Sequence, residues 1–137
     1  MKGIKWRLVL ILSLSGIVFA ALTIASWIAG YEHLVGLITI AGVAKGAVFF
    51  APKAPKKNAF AAGFLTGIFA VWTQAAFLPL YFKNNPEYLD IEIPLGLSPL
   101  AWTVLFSPLA GLAAGALATL IAAILAWPMA KFKNLFR

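Results

Sequence analysis

A lysine and a glutamine stand where apolar sequence surrounds them, and both side chains can do chemistry there. Lys45 lies within "GVAKGAVFF" (Gly42–Phe50), and Gln74 within "VWTQAAF" (Val71–Phe77). An ammonium in a low-dielectric setting must find an anion, a cavity or a route to water, so an intramembrane ionisable residue is a candidate functional group. A buried amide requires hydrogen bonds, either from a neighbouring helix or from a ligand. Thr66 and Thr73 are the nearest hydroxyls along the same stretch as Gln74. Together Lys45, Thr66 and Gln74 form the candidate site, with an anionic solute or a lipid headgroup as the ligand that a lysine favours. The competing reading is plainer. Lys45 is five residues from Phe50, about 7–8 Å of helical rise, which a snorkelling lysine nearly covers. Gln74 then serves as interhelical glue.

Other reactive types are few. The chain has no cysteine, which excludes thiolate chemistry, disulfides and cysteine-based metal sites. His33 is the single histidine, in the turn "YEHL", and one histidine without cysteine makes a poor metal site. Glu87, Asp90 and Glu92 share a loop without the spacing of a calcium-binding loop. No acid, base and nucleophile converge, so no enzyme activity, cofactor or metal is expected.

The elements that carry these residues are membrane spans. Of 137 residues, 63% are hydrophobic and 11% charged, whereas about a quarter of a soluble domain is charged. A span needs about 20 mostly apolar residues. Four stretches qualify: 8–29, 34–50, 60–82 and 108–130. A cleavable signal peptide competes for the first, but its apolar run is longer than the usual hydrophobic region of such peptides. Residues 94–107, "PLGLSPLAWTVLFS", read as an outer interfacial segment, a re-entrant segment or a hinged extension of the fourth span, because Pro99 and Pro108 break or kink a helix.

Charge gives the orientation. Lys2, Lys5 and Arg7, then Lys53, Lys56 and Lys57, then Lys131, Lys133 and Arg137 fall on one side if all four stretches cross. All four acidic residues, Glu32, Glu87, Asp90 and Glu92, fall on the other, and only Lys45 and Lys83 escape the division. The positive-inside rule then places both termini in the cytoplasm, in a plasma (inner) membrane. The net charge of +7 reads as topology signal and anionic-lipid contact, not nucleic-acid binding. Trp6 and Trp127 fit one interfacial belt, Trp27 and Trp102 the other, and Trp72 near mid-span fits neither.

Lipid gives helices no hydrophobic reason to associate, so small residues mark the contacts. Gly42 and Gly46, Gly63 and Gly67, and Gly111 and Gly115 each have GxxxG spacing, and Ser13, Gly16, Ala20 and Thr23 form a fourth small ridge. Matching depths predict that Gly42 and Gly46 pack on Gly63 and Gly67 in a tight hairpin of spans two and three. The expected fold is an all-α four-helix membrane bundle, a single domain with antiparallel neighbours. The expected role is a scaffold or accessory subunit acting through helix packing on a second copy or another membrane protein. The alternative is a small transporter or channel using Lys45 and Gln74.

Overall fold

The computed structural model describes residues 3–89 and 93–135. Lys2, Asp90, Glu92 and Arg137 lie outside them, as do the side chains of Lys131 and Lys133. The described chain is helical with no strand: α1 (Trp6–Ser13), α2 (Ser15–Ile24), α3 (Glu32–Phe50), α4 (Pro55–Ala76), α5 (Leu78–Asn84) and α6 (Pro99–Leu135), with single 3-10 turns at Pro86–Tyr88 and Pro94–Gly96. Four stretches are long and apolar enough to cross a bilayer: Trp6–Ile24, Glu32–Phe50, Pro55–Ala76 and Pro99–Pro128.

The boundaries differ from the sequence reading for local reasons. The first span is interrupted by a turn at Leu14, where Ser13 Oγ donates to the Leu10 carbonyl and Ser15 Oγ to that of Leu12. Such hydroxyl bonds compete with the backbone ladder and bend helices. The span ends at Ile24, five residues earlier than expected, and Ser26 and Gly30 follow with positive φ. Span three shifts toward the N-terminus. Pro55 at the first helical position opens it, where its missing N–H costs nothing. Pro79 closes it, because its ring would meet the carbonyl four residues back. Trp72 and Gln74 therefore sit in the last turns of α4, not near mid-span.

Residues 99–107 continue directly into the fourth span. Ser98 opens α6 as a cap, its Oγ accepting from the Ala101 N–H, with Pro99 behind it. The helix survives Pro108 through a substitute donor. Proline leaves the Val104 carbonyl without its usual N–H, and Ser107 Oγ donates to that oxygen at 2.8 Å. Ser107 Oγ in turn accepts from the Trp72 indole at 2.9 Å, which explains a tryptophan away from either belt.

The core is made of small residues. Ala20, Ala44, Ala47, Ala59, Ala62, Ala118 and Ala122 are fully buried. Leucine, isoleucine and phenylalanine crowd the outside, Ile11, Val18, Ile38, Phe50, Leu120 and Ile124 among them. A water-soluble fold buries the large side chains; a bundle in lipid loses nothing by exposing them and gains from close backbones. Helix α4 is central, packing against α1, α2, α3 and α6.

Glycines define its face toward α6. A Cβ at Gly63 would fall 2.8 Å from the Ala114 carbonyl oxygen, and one at Gly67 would fall 2.7 Å from that of Ala110. In reverse, a Cβ at Gly111 would lie 2.9 Å from the Phe64 carbonyl oxygen and one at Gly115 would lie 3.0 Å from that of Phe60. The expected pairing of Gly42 and Gly46 with Gly63 and Gly67 is thus corrected. Gly46 meets the Leu12 side chain of α1, and Gly42 has nothing within 4 Å. Helix α3 instead buries Val43, Ala44, Ala47 and Val48, for which alanine is small enough. The glycines of α4 are taken by the helix that offers glycine in return.

Candidate functional site

The residues of the expected site are not brought together. Lys45 is exposed on α3, on the outward side that also carries Gly42 and Phe49. Thr66 is buried mid-helix, its hydroxyl donating to the Ala62 carbonyl, and its backbone oxygen lies directly against Gly16 of α2. Gln74 belongs to the far end of α4, where its Nε2 donates to Thr23 Oγ1 at 2.8 Å. Among the described residues no group of three or more histidines or acids is placed to hold a metal ion.

The polar chemistry gathers instead at the two ends of α4. At one end Asn58 is fully buried. Its Oδ1 accepts from the Lys5 N–H at 2.8 Å, and its Nδ2 donates to the Gly3 and Ala54 carbonyls at 3.0 and 2.8 Å. Lys5 also donates through Nζ to the carbonyl of Phe50, the last residue of α3, at 2.8 Å, where a cation suits the negative end of a helix. One asparagine and one lysine thereby tie the starts of α1 and α4 to the end of α3.

At the other end α5 folds back against the end of α2. Asn85 is 2% exposed, and its Nδ2 donates to the Thr23 and Tyr81 carbonyls at 3.1 and 2.9 Å. Asn84 Nδ2 donates to the Ile24 carbonyl at 2.8 Å. The Asn84 and Asn85 bonds cap the last carbonyls of α2, that of Thr23 also accepting from the Ser26 N–H, and Gln74 meets the same residue, Thr23. The sequence reading missed all three asparagines. The available signal was position: each stands beside a proline-marked helix boundary, in "PKKNAF" and "FKNNPEY".

Beside this second cluster opens a cleft of about 410 Å³, lined by Gln74, Tyr81, Phe82, Tyr88, Trp102 and Thr103 with apolar residues between them. Tyr81 and Tyr88 rings lie 5.6 Å apart, Tyr81 and Phe82 rings 5.8 Å. The Tyr81 hydroxyl is pushed up from 10.0 to about 12, first by burial and then by Tyr88, Glu32 and Glu87. At the opposite end a larger groove of about 580 Å³ runs between Trp6, Lys56, Lys57, Phe60 and Phe64.

The fold and these sites define an all-helical, multi-pass membrane protein. No family model, characterised protein or solved structure matches the chain.

Proposed function

We propose that the protein is a non-enzymatic scaffold or accessory subunit that works through helix packing in the membrane. One observation carries this reading. Lys5, Asn58, Trp72, Gln74, Asn84 and Asn85 tie separate helices to one another, and among the described residues every buried side-chain nitrogen and oxygen has a hydrogen-bond partner. The transport alternative through Lys45 and Gln74 has less support, since the lysine is exposed on α3 and the glutamine serves α2. A second copy or another membrane protein is the partner, and nucleic acid is not.

The finer topology has both termini in the cytoplasm of a plasma-membrane protein with antiparallel neighbours. Support for antiparallel α4 and α6 comes from the order of their contacts, Gly63 with Ala114 and Ala118 but Gly67 with Ala110 and Gly111. Support for the orientation comes from the basic residues Lys5, Arg7, Lys53, Lys56 and Lys57 around one end of the bundle. The groove suits an anionic lipid, with Lys56 and Lys57 beside the aromatic residues Trp6, Phe60 and Phe64 in its lining.

Native mass spectrometry after mild extraction, paired with flux assays on Lys45→Met proteoliposomes, tests the reading. A second copy or a foreign membrane protein at fixed stoichiometry, with Lys45→Met folding and assembling as the parent, is expected. A lone monomer conducting an anion flux that Lys45→Met abolishes would overturn it.

A further inference from the structure

We propose that the cleft beside α5 binds an organic ammonium group, a ligand unrelated to the basic groove at the other end. The lining offers what a cation of low hydration requires. Tyr81, Phe82, Tyr88 and Trp102 contribute four aromatic rings, and their quadrupoles attract a quaternary ammonium. The Trp102 ring is held against Phe106 at 3.9 Å between centroids, so one face is fixed before any ligand arrives.

The polar side chains of the cleft include acceptors. Gln74 gives one Nε2 proton to Thr23, and its carbonyl oxygen is an acceptor. Thr103 gives its hydroxyl proton to the Pro99 carbonyl, which leaves lone pairs. The Tyr81 and Tyr88 rings stand together, 5.6 Å between centroids. None of the described lining residues is lysine, arginine or histidine, so an anion would meet no opposite charge among them. Lys83 stands two residues from Tyr81 on α5, exposed and outside the lining.

Charge agrees with the rings. Glu32 and Glu87, from two different segments, lie close enough to act on the Tyr81 hydroxyl, so the carboxylates near this lining residue favour a cation. The volume of about 410 Å³ lies in the range of small-molecule sites, and leucine, isoleucine and proline fill the gaps between rings. A trimethylammonium head with a short carbon substituent fits this chemistry, whether as a free solute or as the headgroup of a choline lipid.

Calorimetric titration in phosphatidylglycerol nanodiscs, corrected with empty nanodiscs, compares choline with its uncharged isostere dimethylbutanol. Choline is expected to bind about tenfold tighter, the scale of a partly desolvated cation–π contact. Tyr88→Leu and Glu87→Gln should each weaken choline several-fold, leave dimethylbutanol unchanged and keep the helical circular dichroism of the parent. Equal affinity for the two probes would reduce the cleft to an apolar hole and overturn the proposal. So would choline binding that both variants leave intact. Repeating the titration with choline-headed lipid in the nanodisc separates the sources: competition assigns the site to a headgroup, undiminished binding to a free solute, and each accords with ammonium recognition.

Discussion

Along α4, one side meets α6 through glycines on both helices, while the other meets α1 and α2 through one glycine and asparagines at either end. The first seam is steric and continuous. Gly63, Gly67, Gly111 and Gly115 let carbonyls of each helix approach the bare Cα of the other, with Phe60 and Phe64 beside them. The second seam has one such glycine contact, where Gly16 lies against the Thr66 backbone. Hydrogen bonds reinforce it from Asn58 at one end and from Gln74 at the other, where Asn84 and Asn85 also hold α5 to the end of α2. Two helices with glycines in step share a long steric contact, whereas a first span interrupted at Leu14 is also held to its neighbours by polar bonds at its ends. Dispersion in a dry seam gives adhesion without a fixed register, and end bonds fix the register without much adhesion.

The steric seam should break hardest. Gly67→Leu places a branched side chain where even a Cβ is 2.7 Å from the Ala110 carbonyl oxygen and 2.9 Å from the Gly111 Cα. Neither neighbour is a movable side-chain tip, so the helices must part, at a cost of about 3 kcal/mol or more. Gly42→Leu, with nothing within 4 Å, is the matched control and should change little. Thermal unfolding in detergent, followed by circular dichroism, separates them. Equal loss in the two variants would mean that the α4–α6 contact is not what holds the bundle.

The end bonds should come next. Asn58→Leu removes three hydrogen bonds and leaves the Lys5 N–H and the Gly3 carbonyl without their partner. The cost should be about 1–3 kcal/mol, concentrated at the start of α1. Hydrogen exchange should accelerate over residues 5–9 while the α4–α6 seam stays protected. Uniform acceleration would show that the two seams unfold as one unit.

Ser107→Ala is smaller again, about 1 kcal/mol. It orphans the Val104 carbonyl at the Pro108 break and the Trp72 indole together. Trp72 emission should shift as the indole loses its acceptor, which tryptophan-to-phenylalanine variants at the other four positions would isolate. A variant with unchanged emission would mean that the indole bond is not kept in the membrane.

Much of this architecture is legible in the sequence, and the rest fails for identifiable reasons. Hydropathy finds the four spans because a bilayer imposes one length on every crossing. It places their ends poorly, because Pro55 and Pro79 act through backbone geometry that a hydropathy window does not see. Small residues are legible as ridges: Ser13, Gly16, Ala20 and Thr23 are all buried. Their partners are not legible, since a GxxxG spacing says that a helix can be approached and not by which neighbour. Gly42 shares the spacing of Gly63 and faces open space. The candidate site failed similarly. Lys45 and Gln74 stand out against apolar sequence, yet helical phase turns the lysine away and α4's early end places the glutamine in another cluster. Asn58 and Asn85 went unnoticed because polar residues beside charged loops look like loop residues.

The two ends of the polar seam can also be separated by pH, with the smallest effect of the four. The end at Asn85 includes Tyr81, whose carbonyl accepts from Asn85 and whose hydroxyl is pushed up to about 12 by burial and by Tyr88, Glu32 and Glu87. In the unfolded chain the same phenol titrates near its ordinary 10.0. Above that value the unfolded state loses its proton while the folded state keeps it, so rising pH favours unfolding. The contribution is fully present below the ordinary value and is lost as pH climbs toward the raised one. Nothing at this end should therefore change near neutrality. In alkaline solution, hydrogen exchange should quicken first at Thr23, Ile24 and α5 while the Asn58 end stays protected, and Tyr81→Phe should remove that asymmetry. Ultraviolet difference titration should show one tyrosine ionising late in the parent and no such step in the variant. Exchange that quickens equally at both ends, or a late step that survives Tyr81→Phe, would remove Tyr81 from the mechanism that holds this end of the seam.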